Sequence, residues 1–134
     1  MLYCVEVAFG HDRNGKSIPE NDILAAQIVG GKILTRYFSG VQLSLCLGGY
    51  VTPRGYLKAE KCSVLRSYTD NLDTLTISQI AALSAALAVF LGQHSVLFVW
   101  YELKGELRLI SPRHQTSKAE HLLTFLRALK TKKS

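Results

Sequence analysis

Residues 2–9, LYCVEVAF, alternate in character: Tyr3, Val5, Val7 and Phe9 fall on one side, and Leu2, Cys4 and Glu6 on the other. Successive side chains of a strand point to opposite faces, so this pattern predicts a strand that gives one face to a core. A polar stretch, GHDRNGK, interrupts it. The spacing then changes. Ile23, Leu24, Ile28, Ile33, Leu34 and Phe38 recur at helical intervals, which predicts a helix running from SIPE to FSG. Ser17 with Glu20 three residues later has the form of a capping box, Pro19 suits a first turn, and Gly40 suits a terminator. The Gly30-Gly31 pair inside this helix implies close packing or a break.

Alternation returns at Val41, Leu43, Leu45 and Leu47, and again through YLKAEKCSVLRSY, with TPRG between them placed for a turn. Two alternating runs about a turn predict an antiparallel hairpin. A second helix is expected over ISQIAALSAALAVFLGQ, with Thr76 and Gln79 as its capping pair and Gly92 as its stop. It is apolar nearly all round, so it is expected to pack on more than one side. SVLFVWYEL reads as a fourth strand, apolar on both faces and therefore central or covered by a partner. KGELRLIS follows as an edge strand, and a last helix starts with Ser117 and Glu120 as its capping pattern. The order β-α-β-β-α-β, with an added C-terminal strand and helix, predicts an α+β protein with a ferredoxin-like antiparallel sheet. Residues 1–112 are expected to form one domain, with 113–134 as a basic helix packed on it or extending from it.

Charge alters this picture in one way. The net charge is +6, yet from Met1 to Leu103 eight bases meet eight acids, and from Lys104 onward eight bases meet Glu106 and Glu120. The body is neutral and the tail is basic, so nucleic-acid binding through the C-terminal helix is conceivable but not favoured. Cys4, Cys46 and Cys62 lie apart in apolar runs with no CxxC, which suits free core thiols in a reducing, cytoplasmic setting. No signal leader is apparent. The longest apolar run, about a dozen residues, is short for a bilayer span, so no membrane role is expected.

Candidate chemistry is thin. The loop between the first strand and helix offers Arg13 and Lys16 beside glycines near a helix start, where an anion could bind, but it lacks both the P-loop ending and GxGxxG spacing. Its Asn14-Gly15 pair reads equally as a turn. Arg54, Arg66 and Arg108, with Tyr50 and Tyr56 among the aromatics of neighbouring runs, could hold a nucleotide by stacking and charge-assisted hydrogen bonds. His11, His94, His114 and His121 make no ligand-spaced pair, so no metal or other cofactor is implied. His11 and Glu60 are the weak candidates for a single acid or base.

Phe9-Gly10, Gly49-Tyr50, Gly55, Glu60, Val64-Leu65 and the run Gln93 to Leu97 give the chain a likeness to known sequences. Over about residues 3–100 it resembles a family of small bacterial proteins of unknown function. It departs from them in the leucine of FLGQ, in a tyrosine where tryptophan is usual, and in its last strand and helix. The resemblance implies a ferredoxin-like α+β fold and supplies no activity or site residues.

With no catalytic constellation in the sequence, the first expectation is a non-enzymatic, homo-oligomeric binding protein for a small anionic ligand such as a nucleotide, acting as a sponge or sensor. A small dimeric α+β enzyme with one acid or base, and a protein-protein interaction module, are the alternatives.

Overall fold

A computed structural model describes residues 1–104 and 118–132. Strand β1 is Leu2–Gly10, followed by two short strands, β2 (Asp12–Arg13) and β3 (Lys16–Ser17). Helix α1 is Glu20–Tyr37, strands β4 and β5 are Gln42–Val51 and Leu57–Thr69, and helix α2 is Thr74–Leu91. Strand β6, Leu97–Leu103, and helix α3, Lys118–Lys132, complete the described chain. The long strands form one antiparallel sheet in the order β4-β5-β1-β6, and β2 and β3 form a separate two-stranded ribbon. The protein is thus α+β, with a four-stranded antiparallel sheet and three helices.

The alternation in β1 sets the register. Val5, Val7 and Phe9 are buried with Leu65 of β5 and with Ile23, Ala26 and Leu34 of α1. Ile80, Leu83, Leu87 and Leu91 of α2 close the same core. Burying a side chain of this size stabilises by roughly 1.5–3 kcal/mol, so this single layer between sheet and helices accounts for most of the driving force. The opposite sheet face carries Glu6 on β1 paired across from Arg66 on β5.

Several expectations change in detail. Ser17 is a residue of β3, and α1 begins at Glu20 with Pro19 as its N-cap and no side-chain capping bond, so the Ser17–Glu20 box does not form. The Asn14-Gly15 turn of the ribbon explains why: both residues have positive φ, 51° and 77°, which a tight hairpin between twisted strands requires. Helix α1 stops at Tyr37, before Gly40. In α2 the cap is Asp73, whose side chain accepts the Thr76 N–H at 2.7 Å. That bond holds the Asp73 carboxyl below its usual pKa. Gly92 ends α2 in the left-handed conformation, as expected. Strand β6 pairs with β1 alone among the described strands, while β1 and β5 are central. The predicted strand 104–111, its Arg108 and the Ser117 cap lie outside the described residues.

Helix α2 packs against both α1 and β6, while Leu75, Val89 and Phe90 remain exposed among the described residues. At 18 residues it is long and apolar enough to cross a membrane by length and composition, longer than the apolar run alone suggested. Its Ile80, Leu83, Leu87 and Leu91 are nevertheless buried in the core with the sheet and α1. Of the cysteines, Cys4 is buried but Cys46 is exposed and Cys62 half-buried, which corrects the expectation of three core thiols.

At Gly30, α1 lies close against the Leu65 side chain of β5. A Cβ there would come within 2.7 Å of Leu65 Cδ1. Gly30→Ala is therefore expected to destabilise by about 1–2 kcal/mol in urea unfolding, because overpacking outweighs alanine's helix preference. Gly40→Ala, with nothing within 4 Å, is expected to be near neutral. Equal midpoints for the two variants would contradict this packing.

Candidate active site

Where β1 runs out, the chain keeps its phase for one more residue. The His11 N–H donates to Lys61 O at 2.9 Å, and the His11 side chain meets Ser63 on β5, with Nε2 to Oγ at 2.6 Å. Gln27, from the second turn of α1, donates from Nε2 to the same Ser63 Oγ at 3.0 Å. Ser63 is fully buried and its proton needs an acceptor; with Gln27 donating to Ser63 Oγ, His11 Nε2 is the acceptor among its described side-chain partners. This assigns the His11 proton to Nδ1. Burial, and then the charge of Lys61, lower the His11 pKa below its ordinary 6.5, against the opposing pull of Glu60, Asp12 and Glu20.

Glu60 is fixed beside this group. Its Oε1 accepts the Asp12 N–H at 3.1 Å, so the carboxylate takes up a backbone donor where the chain leaves the sheet. A Cβ at Gly10 would collide with that carboxylate, so glycine at this position keeps the space Glu60 occupies. Gln93 braces the corner from the far side, donating from Nε2 to Gly10 O at 2.7 Å and to Asp12 O at 3.1 Å. Its Oε1 is buried and has no partner among the described residues, which leaves an acceptor for an incoming donor.

Between the start of α1 and the β4–β5 hairpin lies a cavity of about 540 Å³, a size suited to a nucleoside-sized molecule. His11, Asp12, Glu20, Gln27, Glu60 and Lys61 give it polar groups, and Ile18, Ile23, Leu24 and Leu45 give it apolar ones. Three carboxylates face one ammonium there, so the cavity favours a cation over an anion. A smaller cavity of about 200 Å³ shares Asp12 and Glu60 and is bounded by Arg13, Gly92 and Gln93. No group of three His, Cys, Asp or Glu side chains converges as a metal site among the described residues.

The sequence candidates separate accordingly. His11 and Glu60, named singly as weak acid or base candidates, come together here. Arg13 lies over Gly92 and reaches only the smaller cavity. Lys16 is its exposed partner across the β2–β3 ribbon. Arg54 and Tyr56 are exposed at the far tip of the β4–β5 hairpin, and Tyr50 lies opposite Lys58 near that tip. Arg66 does share the open sheet face with Tyr68 and Tyr101, but it is held by Glu6 at 2.6 Å, and that bond raises its pKa. Asp12, Glu20, Gln27, Ser63 and Gln93 were not anticipated. A usable signal existed for one of them: Ser63 is in phase with Leu65, as His11 is with Val5, Val7 and Phe9, which marks both as polar residues on the core face.

No family model matches the sequence, and no curated protein does. Among solved structures, the chain is similar to a phage SAM lyase in complex with S-methyl-5'-thioadenosine, with a TM-score of 0.56 and 17% identity, over 75% of this chain and 81% of that one. It is also similar to a phage SAM lyase in the apo state, with a TM-score of 0.51 and 12% identity, over 80% of this chain and 92% of that one. At these identities the likeness is one of fold. Both neighbours are enzymes, which overturns the expectation of a non-enzymatic sponge or sensor for an anionic ligand. The acidic lining of the cavity beside His11 likewise disfavours an anionic ligand there.

The lowered His11 pKa carries a sign. Neutral His11 is favoured in the folded chain, so the unfolded chain binds more protons between the folded pKa and 6.5. Stability from this group is present above pH 6.5 and is lost as pH falls through that window. His11→Asn is expected to flatten the dependence of the urea midpoint on pH just below 6.5; an unchanged slope would contradict a half-buried, neutral histidine.

Proposed function

We propose that this protein is an enzyme that cleaves a cationic adenosyl sulfonium, S-adenosylmethionine or a close analogue, in the cavity between α1 and the β4–β5 hairpin. The observation that carries the reading is the cavity itself. Asp12, Glu20 and Glu60 surround a nucleoside-sized space with apolar walls, on a fold shared with phage SAM lyase. The order of the four long strands, with the first and third central, supports a ferredoxin-like frame for that site. Transfer of the activity from those neighbours is an analogy of fold, and the charge of the cavity is its independent support.

The chemistry places few demands on the protein. When the carbon–sulfur bond of a sulfonium breaks, the electron pair stays on sulfur and a neutral thioether leaves, with no proton needed on the leaving group. Carboxylates around the cation favour the charged ground state, so by themselves they contribute binding and not acceleration. Acceleration then rests on holding the reacting carbon in place and on a base or nucleophile that compensates the lost bond. Glu60, held by the Asp12 N–H at the corner that Gln93 braces, is the group fixed as that base. It takes a proton from the carbon next to the one bound to sulfur, the C–H pair becomes a carbon–carbon double bond, and the carbon–sulfur pair leaves with the thioether. His11, with its proton on Nδ1, serves as a positioned donor.

We infer in addition that the working form is a homo-oligomer of this chain. Leu43, Leu45 and Leu47 on β4 are 48%, 69% and 76% exposed, and among the described strands β4 is an edge, with no charged residue and no proline to blunt it. Edges of this kind invite pairing with another strand, and a second copy supplies a matching one.

Incubation with S-adenosylmethionine is expected to release S-methyl-5'-thioadenosine, followed by chromatography. Glu60→Gln is expected to lower kcat by about 100-fold or more if Glu60 acts in the chemical step. No release by the wild-type chain would overturn the reading, and a rise in KM at constant kcat would reduce Glu60 to a binding group. Light scattering at micromolar concentration is expected to give a multiple of the chain mass; a monomer would contradict the oligomer.

A further inference from the structure

Cys46 in β4 and Cys62 in β5 lie 16 positions apart in sequence but are direct cross-strand partners in the sheet. Both are on the face turned away from α1 and α2, with Cys46 exposed and Cys62 half-buried. Directly opposed residues of an antiparallel pair have Cα atoms about 4.5–5.5 Å apart, within the roughly 4.4–6.8 Å that a disulfide spans. Gly48, next along that face of β4, would put a Cβ 3.0 Å from Cys62 Sγ, so glycine leaves the sulfur its room. The Cys46 thiol is also near enough to raise the Cys62 pKa, second only to burial as a cause. Cys4, on β1, is 1% exposed and pairs with Tyr68 and Tyr101, away from both.

We propose that Cys46 and Cys62 form a dithiol that a low-molecular-weight disulfide converts to a cross-strand bond joining β4 to β5. The exposed Cys46 attacks first, as thiolate. It forms a mixed disulfide and releases half of the small disulfide as a thiolate. Cys62 then gives up its proton and attacks the Cys46 sulfur, releasing the other half. Two protein thiols are oxidised, one small disulfide is reduced to two thiols, and the protons lost by the protein end on them.

The bond would matter because β4 is paired with β5 alone among the described strands. This hairpin also brings Leu45, Ala59, Glu60 and Lys61 to the cavity. Closing the loop from residue 46 to residue 62 restricts the unfolded chain, and an exposed cross-strand bond is readily reduced again. The edge strand and one wall of the site are thereby tied together reversibly. This inference does not depend on the substrate proposed above.

The test is incubation of the full, folded chain with oxidised glutathione, alkylation, digestion and mass spectrometry. The expected product is a single peptide pair linked through Cys46 and Cys62, with Cys4 still alkylated once unfolded and the bond reversed by dithiothreitol. The thermal midpoint should rise by about 5 °C on oxidation and fall back on reduction. In Cys62→Ser the reaction should stop at a glutathione adduct on Cys46. A wild-type chain that stops at the same adduct, or that links Cys4 or a second chain instead, would overturn the proposal.

Discussion

The antiparallel register of β1 against β5 is the constraint on which the rest of this structure depends. It places Val7 opposite Leu65 and Phe9 opposite Ser63, so the core and the polar group at its end share one face. A slip of one residue would turn every side chain of β1 to the other face, exposing Val5, Val7 and Phe9 and removing His11 from Ser63. Stability and site are therefore bound to the same pairing. The site is placed where the core stops: the last in-phase residue of β1 is a histidine, and the next backbone donor, Asp12 N–H, goes to Glu60 instead of to the sheet.

Two glycines let this happen through space, not through unusual backbone angles. Gly30 lets α1 approach Leu65 closely enough for Gln27 to reach Ser63, and Gly10 leaves the volume that the Glu60 carboxylate fills. The polar residues are thus held by packing as much as by hydrogen bonds. The resulting cavity has a charge opposite to that of the protein as a whole. A chain of net charge +6 presents three carboxylates and one lysine to the pocket beside His11, because its excess positive charge is confined to the segment after Leu103. Net charge describes a surface average, whereas recognition follows the local field.

The strands and helices were legible because they obey simple periods: LYCVEVAF, VQLSLCL and the Ile23–Phe38 spacing each predict the element that forms. What lay beyond local pattern was pairing. Nothing in SVLFVWYEL tells that it pairs outside β1 in the described sheet, because its position depends on partners far along the chain. The capping boxes misled for a related reason: Ser17 is consumed by the β2–β3 ribbon, and Asp73, one turn ahead of the predicted pair, captures the Thr76 N–H. At the site, His11 and Glu60 were visible as single residues, but their convergence and the nearness of Cys46 to Cys62 require the register of β5 with both its neighbours. The arginines drew attention in the sequence by their chemistry, yet Arg66 is already satisfied by Glu6 and Arg54 stands at a remote tip.

The central claim is that the pocket between α1 and the β4–β5 hairpin takes an adenosyl thioether or sulfonium. A crystal structure of the chain with S-methyl-5'-thioadenosine tests it most directly. The account predicts the nucleoside between Leu24 and Leu45, with its sulfur end toward His11 and Glu60. Binding on the open sheet face among Arg66, Tyr68 and Tyr101, with the pocket empty, would contradict it.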